Sequence, residues 1–325
     1  MFYLLDRHQW TGGRAMDFTG RDVVSIRDLT KDEMLYVLDH AAKAMPVARG
    51  ERRSDVLNGK ILATLFFEPS TRTRLSFETA MLRLGGSVIG FADASGTSVA
   101  KGETLADTVR MAESYADAIV LRHPMEGAAK LAADFSSKPV INAGDGAGQH
   151  PTQTLLDLFT IKMEKGEIAD NNIVIVGDLK YGRTVHSLTY ALSLFGASIT
   201  CVAPPALQMP PEVVSHLKEA GGRFNQSESL ESVLPGADVL YVTRIQKERF
   251  PDLEEYKKVE NAYRIDNALL SNAKRNLIVM HPLPRVSEIA PEVDAGPHGR
   301  YFKQAFYGVP VRMALLSLLL GKGEI

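Results

Sequence analysis

Phe66-Phe67-Glu68-Pro69-Ser70-Thr71-Arg72-Thr73-Arg74 is the stretch whose reading decides the fold. Lys60 to Phe67 runs into it, rich in Ile, Leu and Phe, the composition of a buried strand. Leu75 to Leu84 follows as a helix pattern and stops at Gly85-Gly86. Between them Pro69 breaks the strand, and Ser70 or Thr71 can cap the helix. The first turn of a helix presents unpaired N–H groups and the positive end of its dipole, so it attracts an anion. Hydroxyls from Ser70, Thr71 and Thr73 and the fork of Arg72 add donors suited to a phosphate. An ordinary capped helix with surface arginines needs fewer donors than Ser-Thr-Arg-Thr supplies.

Outward from that turn, apolar strands alternate with helices. Strands are expected near Ile61–Phe67, Ser87–Phe91, Ala118–Leu121 and Val140–Asn142, with helices near Arg72–Leu84, Thr104–Tyr115 and Gly127–Phe135. Such alternation predicts a parallel sheet covered on both faces, with ligands at the carboxyl ends of the strands. Polar clusters fall at those ends: Ser70 to Thr73, Arg122-His123-Pro124, and Asn142 to Gln153. Asp93 to Glu103 reads as a mobile loop carrying Lys101. His150 stands just before Pro151, which opens a helix running to Lys165; a capping and a catalytic histidine are equally consistent with that position. Upstream, Asp22 to Ile26 reads as a short strand. Thr30 and Glu33 form a capping box for the next helix, and Pro46 to Asn58 reads as a loop.

A second alternation has strands at Ile173–Val176, Ser198–Val202, Val239–Val242 and Leu277–Met280. The fold class is therefore α/β, two domains, each a parallel sheet flanked by helices, with the active site expected in the cleft between them. Residues 1–15 form an N-terminal appendage, with Met16 a candidate natural start; 16–150 form the first domain and 151–308 the second. A C-terminal helix at about 309–325 packs back on the first.

The chain of 325 residues suits two domains, and 45% hydrophobic content supplies their cores. A net charge of −2 gives no bulk field for nucleic acid, so anion binding falls to local arginines. No apolar run reaches the roughly 18 residues of a membrane helix. The single cysteine, Cys201, cannot form an internal disulfide, which fits a reducing cytoplasm.

Gly177-Asp178-Leu179-Lys180-Tyr181-Gly182-Arg183-Thr184 nearly matches a nucleotide-binding P-loop. Arg183 stands where that loop needs Lys, and no apolar strand ends in an acidic residue suited to magnesium, so a nucleotide-binding protein ranks low. Arg183 and Arg244 instead sit at like strand ends, an arrangement suited to a substrate with two carboxylates. His281-Pro282-Leu283-Pro284-Arg285 follows the last strand.

These segments, with Thr97 to Thr104 and Thr243 to Arg249, resemble the aspartate and ornithine carbamoyltransferases from about Met16 to the C-terminus. The loop Thr97 to Gly102 is one residue shorter than the common two-lysine form and keeps Lys101 beside glycine. Pro282 stands where the ornithine branch typically has cysteine, and no Asp-x-x-x-Ser-Met-Gly segment is present, so the aspartate branch is favoured. The resemblance implies transfer of the carbamoyl group of carbamoyl phosphate to the amine of L-aspartate in de novo pyrimidine biosynthesis, with ornithine transfer as the alternative. It implies carbamoyl phosphate binding by Ser70, Thr71, Arg72, Thr73, Arg122, His150, Gln153, Pro282 and Leu283, with Ser98 and Lys101 from a neighbouring subunit of a homotrimer. Lys101, Arg183, Arg244 and Gln246 would meet aspartate, and Arg72, Thr73, Lys101, Arg122 and His150 would act in catalysis. It further implies no cofactor or metal, a cytoplasmic location and, in some members, a zinc-binding regulatory chain.

Overall fold

The computed structural model describes residues 16–219, 222–245, 250, 252–260, 262–323 and 325. The N-terminal appendage expected at 1–15, like Gln246, lies outside the described residues. The chain divides into two compact units: one runs to Leu155 and takes in Gly308–Ile325, and the other is Leu156–Tyr307.

The first unit contains α1 (Lys31–Ala48), β1 (Ile61–Phe66), α2 (Thr71–Arg83), β2 (Ser87–Phe91), α3 (Leu105–Tyr115), β3 (Ala118–His123), α4 (Ala128–Phe135), β4 (Val140–Asp145) and the start of α5 (Pro151–Lys165). Its four strands are parallel, in the order β2-β1-β3-β4. Leu62 to Phe66 are all buried, as a strand sandwiched between helix layers must be. One face of the sheet sets Ala63, Leu65, Ile119 and Leu121 against Val109 and Ala112 of α3 and Ala128 and Ala132 of α4. The expected strand at Asp22 to Ile26 reduces to one bridge, Val23 to Ile141. Ser25 and Asp28 close a capping box two residues later and turn the chain into a 3₁₀ turn. The Thr30–Glu33 capping box forms as expected, but α1 continues through Pro46 to Ala48, so the loop starts later than Pro46.

The second unit holds the rest of α5, then β5 (Asn172–Val176), α6 (Arg183–Leu194), β6 (Ser198–Val202), α7 (Pro211–Glu219), β7 (Arg223–Ser227), α8 (Leu230–Val233), β8 (Val239–Val242), α9 (Leu253–Val259), α10 (Asn267–Leu270), β9 (Ile278–Met280) and most of the first half of α11 (Tyr301–Leu319). Five parallel strands run in the order β7-β6-β5-β8-β9. Val176, Val202, Leu240, Val242 and Val279 pack with Leu230, Leu234, Ile265 and Tyr301 in its core. β7, Arg-Phe-Asn-Gln-Ser, is a strand that apolar patterning does not reveal. It lies at the sheet edge with one neighbour and stays largely exposed. Cys201 is fully buried in β6, and burial pushes its thiol pKa up. Among the described residues no helix is long and apolar enough to cross a membrane.

The second half of α11, from Gly308, belongs to the first unit. There Arg312 lies 4.8 Å over the Phe77 ring of α2 and donates from Nη2 to Thr152 Oγ1 at 3.3 Å. Gly20 donates its N–H to Leu319 O at 2.9 Å.

Candidate active site

In the first unit all four strands lead at their carboxyl ends into predicted site segments. Ser70 is the N-cap of α2, but its side chain makes no capping bond, contrary to the simplest expectation for a serine there. Thr71 and Arg72 are exposed, and Thr73 is buried at 8% exposure. Arg74 is tied by Nε to Glu78 Oε1 at 2.7 Å along the helix, so Arg72 is the first-turn arginine outside that pair.

Arg122 lies where the β3–β4 register shifts between Leu121 and His123, an irregularity that re-aims a side chain. Its Nη1 donates to Ala143 O at 3.0 Å and its Nη2 to Glu68 Oε1 at 3.1 Å. Its buried Nε has no hydrogen-bond partner. An unmet buried donor costs about 1–3 kcal/mol, a cost that a bound acceptor would remove. Desolvation and then the charge of Arg122 lower the pKa of Arg72, so the two guanidinium groups are close enough to repel. Two cations held together at a helix N-terminus form a focus for an anion.

After β4 the chain is shaped by Asp145, 4% exposed. Its Oδ1 accepts from Gln149 N at 2.8 Å and Asn142 Nδ2 at 3.0 Å, and its Oδ2 from Gly127 N at 2.9 Å. That carboxylate fixes the turn delivering His150, 5% exposed, to the start of α5. The His150 carbonyl accepts from Gln153 N at 3.0 Å and Thr154 N at 3.3 Å, so both predicted residues stand on the first turn of that helix. Ser98 and Lys101 lie on an exposed 3₁₀ turn, Ser98–Lys101, capped by the Thr97 side chain and closed by Gly102 at φ 96°.

In the second unit, β5, β8 and β9 are neighbours, and each leads into a predicted cluster. Arg183 is the first residue of α6 after β5, and Arg244 follows β8; Val176 pairs with Val242, so the two arginines leave adjacent strands. Gly177 has φ 124°, and a Cβ there would lie 2.1 Å from Thr243 O. A Cβ on Gly182 would lie 2.5 Å from Asp178 O. The glycines of the P-loop-like motif thus serve a close approach of two strand ends and a tight turn into α6. A cavity of about 260 Å³ opens beside them, lined among others by Gly177, Thr243, Arg244, Tyr256, Tyr263 and Glu288.

Pro282 and Leu283 follow β9. Leu283 sits at φ 55°, a left-handed conformation costing a side chain about 1–3 kcal/mol. His281 sustains it: Leu283 N donates to His281 Nδ1 at 2.7 Å, so the ring donates from Nε2 to Glu288 Oε1 at 2.8 Å. Burial pushes the Glu288 pKa up, but the bonds from His281 and from the Val286 backbone outweigh it and bring the carboxyl down to about 2. Sequence reading missed Glu68, Asp145 and Glu288 as holders of the site. Asp145 lay inside a flagged cluster and Glu68 inside the stretch that opens α2, each without a role assigned, whereas Glu288 carried no pattern of its own.

The family model for the aspartate/ornithine carbamoyltransferase carbamoyl-P binding domain matches residues 21–163, and that for the Asp/Orn binding domain matches 169–319. The chain belongs to the aspartate/ornithine carbamoyltransferase family. Within this family it is 61% identical over 307 residues to the aspartate carbamoyltransferase catalytic subunit of Methanocella arvoryzae, covering 94% of this chain and 99% of that one. The Thermococcus gammatolerans subunit of the same name is 59% identical over 306 residues, covering 94% and 99%. A solved structure of the M. jannaschii aspartate transcarbamoylase catalytic subunit is 55% identical, with a TM-score of 0.87, covering 93% of this chain and 98% of that one. The Trypanosoma cruzi enzyme, solved in complex with carbamoyl phosphate and aspartate, is 41% identical with a TM-score of 0.89, covering 93% and 98%. The fold class expected of the sequence, two parallel sheets flanked by helices, is that of these relatives.

Proposed function

We propose that the chain is an aspartate carbamoyltransferase catalytic subunit. It transfers the carbamoyl group of carbamoyl phosphate to the α-amine of L-aspartate, giving N-carbamoyl-L-aspartate and phosphate, a step of de novo pyrimidine biosynthesis. The observation that carries aspartate over ornithine is the pair Arg183 and Arg244 at neighbouring strand ends. A dicarboxylate calls for two cations, whereas an ornithine side chain calls for an anion. The names of the relatives support the same choice.

In this reading Ser70, Thr71, Arg72, Thr73 and Arg122 hold the phosphate of carbamoyl phosphate. Gln153 and the carbonyls of Pro282 and Leu283 orient the carbamoyl NH₂. Arg183, Arg244 and Gln246 hold the aspartate carboxylates. The neutral amine attacks the carbamoyl carbon, and negative charge grows on the former carbonyl oxygen. Thr73, Arg122 and His150 donate to that oxygen, stabilising charge that develops only in the transition state. The intermediate collapses as the C–O bond to phosphate breaks, and the departing phosphate takes the amine proton. Carbamoyl phosphate arrives activated, so no redox step is required.

The family resemblance supports a homotrimer in which Ser98 and Lys101 act in a neighbouring subunit's site, a cytoplasmic location and a possible zinc-binding regulatory chain. A native mass measurement on protein from its source separates a trimer alone from trimers joined to a second polypeptide; a monomer would overturn the shared site. The activity is tested by offering aspartate and ornithine in parallel with carbamoyl phosphate. Carbamoylation of aspartate alone is expected, and carbamoylation of ornithine alone would refute the aspartate assignment.

A further inference from the structure

Asp157 is fully buried in the second unit, on the part of α5 that belongs there. A carboxylate in such a place is costly unless its oxygens are met by donors, and an apolar residue of like volume would serve stability as well or better. Its partners come from separate elements. Tyr241 of β8 donates its hydroxyl to Asp157 Oδ2 at 2.9 Å. Gln304 of α11 donates from Nε2 to Asp157 Oδ1 at 2.7 Å, across 147 residues of sequence.

Each partner continues to a strand end that carries a site segment. Tyr241 lies level with Ile175 of β5 and Met280 of β9 in the sheet, three residues before Arg244. Its hydroxyl also shares a hydrogen bond with the Thr184 side chain, next to Arg183 at the start of α6. Gln304, 1% exposed, uses its other amide atom: Oε1 accepts from His281 N at 2.8 Å. His281 in turn holds Leu283 in its left-handed conformation. One carboxylate thus ties the strand ends of Arg183, Arg244 and the Pro282-Leu283 carbonyls through two arms.

We infer that Asp157 is a positioning residue that sets the register of these three segments, through Tyr241 for the dicarboxylate-binding arginines and through Gln304 and His281 for the carbamoyl-orienting carbonyls. This rests on the functional reading above, whose substrates define what the arms position. The direction of every bond in the network is fixed by Asp157 accepting from both sides. An asparagine in its place has one acceptor, so either Gln304 Nε2 is left facing the new Nδ2, or the Tyr241 hydroxyl must turn, give up its donation and accept from Nδ2. Turning the Gln304 amide round would only move that clash to His281 N–H.

The two arms give different kinetic signatures, which a merely structural network would not. Tyr241→Phe removes one hydroxyl and leaves the ring in place. It is expected to raise KM for aspartate by about 3- to 10-fold, the effect of roughly one lost hydrogen bond, with KM for carbamoyl phosphate unchanged. Gln304→Met breaks the other arm and is expected to lower kcat by about tenfold with a smaller change in the aspartate KM. Asp157→Asn, which keeps one acceptor, should show at least one of the two effects. Melting temperature is measured on the same proteins. Lowered melting temperatures with wild-type kcat and KM values in Tyr241→Phe and Gln304→Met would overturn the inference and leave the functional reading intact. A wild-type chain that does not carbamoylate aspartate would overturn that reading and this inference with it.

Discussion

The first unit gathers its donors around one helix start: Ser70 to Thr73 open α2, the Ser70 hydroxyl is not spent on capping, and Arg122 reaches the same neighbourhood with a buried Nε that has no partner. The second unit gathers its groups from separate strands: the donors Arg183 after β5 and Arg244 after β8, and the acceptor carbonyls of Pro282 and Leu283 after β9. Behind these stand bonds spanning distant parts of the chain, such as Gln304 to Asp157 and Tyr241 to Asp157. The difference follows from the ligands each half suits. A phosphate is compact, and one helix terminus with a pair of guanidinium groups surrounds it using local backbone. A dicarboxylate has two separated charges, so its cations must come from different strands, and their spacing is only as good as the scaffold behind them. The first site should therefore fail abruptly when a donor is lost, and the second should fail gradually when its scaffold is loosened.

The largest expected effect is in the first unit. Arg72→Ala should remove most turnover while the protein stays folded, since a charge-assisted phosphate donor contributes about 1.5–3 kcal/mol and in the proposed role Arg72 would also balance substrate charge. Near-normal kcat/KM in a folded Arg72→Ala protein would break the comparison at its strongest point. Next comes His150. As an oriented donor to the carbamoyl oxygen, its removal in His150→Ala should lower kcat by about 10²–10³, with a smaller change in KM. His150→Asn, which keeps a donor, should recover part of that loss. Full kcat with a lowered melting temperature in both variants would make His150 a structural cap.

The smallest effect concerns the scaffold of the second unit. The Glu288 carboxyl, brought down to about 2 from an ordinary 4.5, adds stability that is present above about pH 4.5 and lost as pH falls toward 2. Glu288→Gln should therefore be less stable than wild type at neutral pH by up to about 3 kcal/mol, with the gap closing between pH 4.5 and 2. Chemical denaturation across that range checks it. A gap that does not change with pH would show that the His281–Glu288 bond does not carry this dependence.

What the sequence made legible, and what it hid, follows the same division. Short apolar strands separated by helices gave the parallel α/β class, because strands covered on both faces bury nearly every residue, as Leu62 to Phe66 do. β7 escaped because an edge strand buries only one flank and can be polar. The strand at Asp22 to Ile26 shrank to a bridge because Ser25 and Asp28 favour a capped turn over continued pairing. The clusters at strand ends were readable because donors crowd where the chain leaves a sheet. The residues that hold them were not: Asp157 and Gln304 each look like a lone polar residue in a helix, and only the fold brings them within 2.7 Å. Gln246 stood out in the sequence and lies outside the described residues.

The proposed function divides the labour, with carbamoyl phosphate held by the first unit's helix start and aspartate by the second unit's paired arginines. Calorimetric titration of carbamoyl phosphate alone into Arg72→Ala and Arg244→Ala tests it most directly. The expected result is loss of binding by at least about tenfold in Arg72→Ala, the equivalent of one lost charge-assisted bond, and a wild-type Kd in Arg244→Ala. Wild-type binding by Arg72→Ala together with weakened binding by Arg244→Ala would contradict the account.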